Sequence, residues 1–112
     1  MDIKKNYHKE HNIQNAIRLW CGEHNYLCFR ANVGKVRTAN GRWFDTGLPE
    51  GFSDLFILAN NTIYFCECKT LKGKQREDQI NFQRTIEEHG YVYFIARSVE
   101  DVEEVIENGS IF

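Results

Sequence analysis

The stretch Gly51-Phe52-Ser53-Asp54-Leu55-Phe56-Ile57-Leu58-Ala59-Asn60-Asn61-Thr62-Ile63-Tyr64-Phe65-Cys66-Glu67-Cys68-Lys69 decides the fold. Two apolar runs, 54–59 and 62–69, are parted by Asn60-Asn61, and asparagine tolerates the positive φ of a two-residue hairpin turn. The runs therefore read as antiparallel strands, which brings the Asp54 end of one beside the Glu67 end of the other. Side chains alternate along a strand, so Glu67 and Lys69 share a face while Cys66 and Cys68 take the other. Two carboxylates and a lysine thus converge at one edge of a sheet.

Around this hairpin the chain reads as one α/β domain. Ile13, Ile17, Trp20 and Cys21 recur at helical spacing, predicting a helix over 10–24. A short strand over 26–30 follows. Residues 32–50 are irregular and read as a strand-flanked loop or ragged hairpin. A basic turn over 72–76 leads into a helix over 77–89 that turns Ile80, Phe82, Gln83 and Ile86 inward, with Gly90 as its stop. A strand over 91–96 comes next. Ser98 N-caps a closing helix whose Val99, Val102, Val105 and Ile106 face in, and Asp101 completes a capping-box-like pattern. The unit strand 62–69, helix 77–89, strand 91–96 is expected to be parallel with a right-handed crossover, and the earlier strands antiparallel. The expectation is a mixed sheet with flanking helices in the order α-β-β-β-α-β-α.

Length and composition agree. At 112 residues the chain suits a single core, and 42% apolar with 27% charged residues is ordinary for a globular protein. No run approaches a membrane span, and Met1-Asp2-Ile3-Lys4-Lys5-Asn6 has no apolar signal core, so a cytoplasmic protein is expected, with no membrane partner. The four cysteines lack Cys-x2-Cys spacing and read as reduced, largely buried thiols rather than zinc ligands. His8, His11, His24 and His89 form no ligand pattern. The net charge of −2 hides an asymmetry: residues 1–86 carry 13 Lys/Arg against 9 Asp/Glu, while 87–112 carry Arg97 against 7 acids. Local clusters therefore matter more than the total.

The acid–acid–lysine edge suits phosphodiester hydrolysis. A hard divalent ion, Mg²⁺ or Mn²⁺, takes oxygen ligands, and Asp54, Glu67 and the Cys68 backbone carbonyl make a sufficient set. Lys69 offers a compact positive charge to orient water or bind the scissile phosphate. Lys35, Arg37 and Arg42 form one basic segment and Lys72, Lys74 and Arg76 another, the second directly after Lys69, as cations that follow a DNA backbone should. Trp43 and Phe44 read either as a wedge into an opened junction or, the commoner use of such a pair, as core.

The Asp-x12-Glu-x-Lys pattern resembles the PD-(D/E)xK nuclease superfamily and, more narrowly, the VRR-NUC family, the virus-type replication-repair nucleases. The resemblance rests on Glu10-x-x-Ile13-Gln14, Gly51-Phe52-Ser53-Asp54, Glu67-Cys68-Lys69-Thr70, Gly73, Gln79-Ile80-Asn81-Phe82 and Gly90-Tyr91, and spans nearly the whole chain. It implies a restriction-endonuclease-like fold over 1–112 and a metal-dependent, structure-selective DNA endonuclease. Four-way (Holliday) junctions are the expected substrate. A homodimer is possible, since paired cuts need two sites. Stand-alone members of this size look like phage and bacterial proteins, acting here in the host cytoplasm, and in longer relatives the same module is the nuclease part of a DNA-repair protein. The resemblance also implies that Glu10 is an extra metal ligand or a supporting carboxylate; its ordinary reading is a solvent-facing acid in a helix's first turn. Gln79 either contacts a metal-bound water or phosphate, or is a polar surface residue. One departure stands out: Ser53 replaces the usual proline before the aspartate, which frees φ but removes no ligand. The alternatives in play are a non-catalytic branched-DNA-binding module and a flap or single-strand nuclease.

Overall fold

The computed structural model describes residues 3–109, with side chains from residue 9 onward except that of residue 36. A four-stranded mixed sheet runs in the order β1 (Leu27–Arg30), β4 (Leu55–Ala59), β5 (Thr62–Cys68), β6 (Val92–Ala96). The ribbon β2 (Lys35–Arg37) and β3 (Trp43–Asp45) forms a separate two-stranded sheet. The helices are α1 (Ile3–Glu23), α2 (Glu77–Glu88) and α3 (Val99–Ile106). Without the ribbon, the order is the predicted α-β-β-β-α-β-α.

The central hairpin forms as its turn residues dictate. Asn60 and Asn61 both take positive φ, 52° and 60°, and β4 pairs antiparallel with β5 in the register Leu55↔Cys66 through Ala59↔Thr62. Asn60 Nδ2 also donates to Ile106 O at 2.8 Å, tying the turn to the end of α3. Crossing through α2, β6 lies parallel to β5, with Glu67↔Ile95 and Cys68↔Ala96 in register.

The two sheet faces bury different chemistry. On one, Leu55, Ile57, Cys66, Cys68, Phe94 and Ala96 meet Ile17 and Cys21 of α1 and Val102, Val105 and Ile106 of α3. All four cysteines are free thiols, and three are buried. On the other face, Phe56, Phe65 and Tyr93 join Phe52 and Phe82 in an edge-to-face aromatic cluster beneath α2. Such pairs prefer T-shaped contacts because ring edges are positive and faces negative.

Three boundaries differ from the sequence reading. Helix α1 begins at Ile3 rather than near residue 10. Asp54 and Lys69 lie just outside their strands rather than within them. In α2, Ile80 is exposed and Gln79 is the buried residue. Helical spacing marks an inward stripe, but here the polar residue beside it turns in, where it gives the buried Glu67 carboxyl a hydrogen bond.

Candidate active site

Asp54 begins where the ladder of β4 and β5 opens. Its own carbonyl accepts from Ala31 N at 2.9 Å, extending the β1 pairing, while its side chain replaces a lost ladder bond: Asp54 Oδ2 accepts from Cys68 N at 2.9 Å. The turn before it is held by Ser53, fully buried, whose Oγ donates to Leu55 O at 2.9 Å. Serine in place of proline therefore closes this turn with a hydrogen bond rather than leaving it free.

Glu67 is 1% exposed, on the α2 face of β5. Gln79 Nε2 donates to its Oε1 at 3.0 Å, and Lys69 Nζ stands 3.8 Å from the same atom. Lys69 is itself buried, its backbone N–H bonded to Ala96 O at 3.1 Å. Glu67 Oε2, by contrast, is buried with no hydrogen-bond partner among the described residues. Burial foremost, then the Asp54 charge beside it, pushes the Glu67 pKa up to about 9; Lys69 opposes this and Glu10 adds to it. A carboxylate held this way lacks a positive partner on one oxygen.

Gln79 reaches Glu67 because α2 starts hard against the Gly51 turn. Its Oε1 accepts from Arg76 N at 2.9 Å, one half of a capping box, leaving Nε2 to face the strand. Gly51 has φ +88°, and a Cβ there would lie 2.3 Å from Asp78 O, so only glycine lets α2 come this close. Both ends of the Gln79 amide thus have protein partners, and its placement is that of a residue holding Glu67, not of one presented to solvent.

Glu10 lines a cavity of about 210 Å³ with His11, Gln14, Arg30 and Asp54. Burial, then Asp54, raises its pKa, while Lys69 and Arg76 lower it. Among the described residues no three His, Cys, Asp or Glu side chains stand together as a metal cluster. Glu10 approaches from α1, on the sheet face opposite α2, near enough to Asp54 for the two charges to act on each other. His24 and His89 bond backbone carbonyls of their own helices, and the His8 side chain lies outside the described residues.

The donor set fits a hard divalent cation. Two carboxylates at one strand end, one with an orphaned buried oxygen, offer hard oxygen ligands, and the Cys68 carbonyl belongs to the residue whose N–H Asp54 accepts. The cysteines offer no competing soft site: Cys66 and Cys68 are sealed in the opposite core.

The basic segments lie on either side. Lys72, Lys74 and Arg76 are exposed on the turn after Lys69. Arg97 pins that turn: its guanidinium donates to Thr70 O and, at 2.9 Å, to Gly73 O. Gln75 Nε2 adds bonds to Gln83 Oε1 and Tyr93 OH. Lys35, Arg37 and Arg42 sit on the β2–β3 ribbon, and Trp43 and Phe44 are exposed there rather than core. The sequence reading missed Arg30 and Arg97. Arg97 was detectable as the lone cation of an acidic tail at a strand end; Arg30 depends on the β1–β4 register, which pairs it with Leu55 next to Asp54.

Fold and site together define an α/β domain of mixed sheet with an acid–acid–lysine group where its central strands end, Glu67 and Lys69 buried and Asp54 half-buried. A solved structure named "VRR_NUC domain" matches it with a TM-score of 0.66 and 21% identity, covering 91% of this chain and 98% of that one. The chain therefore has the fold of a VRR-NUC domain, the family its motifs resemble. No protein-family model and no curated protein matches the sequence.

Proposed function

We propose that the protein is a Mg²⁺- or Mn²⁺-dependent endodeoxyribonuclease that hydrolyses phosphodiester bonds in branched DNA, four-way junctions foremost, and works as a homodimer on that substrate. The observation that carries this reading is Glu67: a fully buried carboxylate with one unpartnered oxygen, set between Asp54 and Lys69. A structural ion pair would satisfy both oxygens; a site kept for a cation leaves one open. When bound, the cation supplies Lewis-acid polarisation of the phosphate and a more acidic water.

The chain's own residues do the rest. Asp54 and Glu67 hold the cation, with the Cys68 carbonyl as third donor. Gln79 fixes the Glu67 carboxylate through Oε1 and leaves Oε2 free for the cation. Lys69 places a positive charge where water must be oriented and where phosphate charge accumulates. Glu10 adds negative potential from the side, and Lys72, Lys74 and Arg76 receive the DNA backbone.

Cleavage of labelled four-way junction, flap, duplex and single-stranded DNA with Mg²⁺ or Mn²⁺, wild type beside Lys69→Ala, tests the proposal. Paired nicks across the junction, lost in the variant, support it in full. Cutting of flaps or single strands alone keeps the hydrolytic site and removes the junction assignment. Binding without cleavage by well-folded protein would reduce the domain to a DNA-binding module.

A further inference from the structure

The β2–β3 ribbon joins the two strands that meet at the site. It leaves β1 at Ala31, whose N–H is bonded to Asp54 O, and returns through the Gly51 turn to Asp54 itself. Its frame is well specified: Lys35↔Asp45 and Arg37↔Trp43 are paired, and Thr46 N donates to Gly34 O at 2.9 Å. At the tip, Thr38 N donates to Arg42 O at 2.7 Å and Gly41 takes φ +84°. This is the left-handed position of a bulged hairpin loop, which relaxes for glycine alone.

Among the described residues, the ribbon strands pack on each other and on no other element extensively. Yet Trp43 is 67% exposed and Phe44 60%. Neighbours on a strand point to opposite faces, so each side of the ribbon carries one uncovered ring. The Arg37 guanidinium lies 5.7 Å from the Trp43 ring centroid, and its Nε donates to Gly41 O at 3.4 Å, which holds the cation over the ring. Single exposed apolar residues need no explanation; two adjacent aromatic rings, one topped by arginine, with Lys35 and Arg42 alongside, do.

We infer that this ribbon is a stacking platform for unpaired DNA bases near the cleavage point, a reading that deepens the proposed nuclease function and rests on it. The charge decides between occupants. The ribbon carries Lys35, Arg37 and Arg42 against Asp45 alone, so two copies packed ribbon to ribbon would oppose like charges, whereas a polyanion is drawn in. The rings decide between forms of DNA: base faces are open to aromatic side chains only where the strand is unpaired, and Arg–aromatic groups of this kind stack bases without regard to sequence. Reach fits as well. Six residues separate Ala31 from Arg37, at most about 21 Å of chain, or roughly six base steps of 3.4 Å. The ribbon thus grips the opened strand beside a branch while the carboxylates meet the phosphate.

The test needs no hydrolysis. In EDTA, binding of the full chain to oligo(dT), to a forked duplex and to a blunt duplex is followed by anisotropy and by tryptophan fluorescence. The platform is expected to show quenching by oligo(dT) that disappears in Trp43→Phe with most affinity kept. Trp43→Ala with Phe44→Ala should lose roughly 30-fold or more on oligo(dT) and fork and less than twofold on blunt duplex. Equal losses on all three would place the ribbon in a groove and overturn the inference. So would unchanged affinity, absence of quenching in the wild type, or a dimer that dissociates in the double variant. Trp20, the other tryptophan, is present in both wild type and Trp43→Phe, so quenching lost in Trp43→Phe belongs to Trp43, and a double variant that fails to fold leaves that result decisive. Quenching without any cleavage in Mg²⁺ would sink the nuclease reading and leave the platform standing.

Discussion

Replacing Glu67 by glutamine should make the metal-free protein more stable. Between pH 4.5 and about 9 the folded state holds a proton on Glu67 that the unfolded chain has released. Stability attached to this group is therefore complete below about pH 4.5, falls as pH rises, and levels off above about 9. At 1.36 kcal/mol per pH, the loss by pH 7 is about 3 kcal/mol, a large share of the 5–15 kcal/mol typical of a domain. Glutamine keeps the shape, accepts from Gln79 Nε2 and can donate to Asp54, but has no proton to lose. For a chain of 112 residues, 3 kcal/mol corresponds to a rise in Tm of roughly 12 °C. Thermal melts in EDTA from pH 5 to 8.5 should show the two proteins together at the acid end and Glu67→Gln well above wild type at pH 8. Glu10, also raised, shifts both proteins alike and cancels in the difference. Adding Mg²⁺ should lift the wild type and leave the variant behind, since the cation replaces the proton. If the variant melts at or below wild type at pH 8, burial does not hold the Glu67 carboxyl protonated in the folded protein.

Lys69→Ala should abolish cleavage by a factor of about 100 or more, with circular dichroism showing the fold retained. Gly51→Ala forces a Cβ into Asp78 O and a residue into positive φ; denaturant unfolding should show a loss of about 2–4 kcal/mol. Gln79→Ala removes the one donor on Glu67 Oε1 other than Lys69; it should weaken Mg²⁺ binding about tenfold by calorimetry, as loss of a partner that orients a ligand does. Mg²⁺ affinity in the wild type should rise about tenfold per pH from 6 towards 9, because one proton leaves Glu67 as the ion enters, and calorimetry in buffers of different ionisation heat should count it.

The local pattern settled much of this before any tertiary contact. Asn60-Asn61 specifies the turn, and alternation from there puts Cys66 and Cys68 on one face and Glu67 with Lys69 on the other. A hairpin of known register makes neighbours of Asp54 and Glu67 whatever surrounds it. The periodicities of the three helices and the crossover rule then order the sheet. What only the tertiary structure decided is what meets each face. Gln79 looks like a surface residue from its own helix and becomes the Glu67 partner because α2 rests on Gly51. Trp43 and Phe44 look like core and stay uncovered because their ribbon pairs with itself instead of joining the main sheet. Arg30 and Glu10 come beside Asp54 through pairing and packing between segments far apart in the chain. Periodicity is a property of one element and names the side that turns inward; the depth of burial, and so the raised pKa of Glu67 and its unpartnered oxygen, depends on neighbours that only the closed fold brings to it.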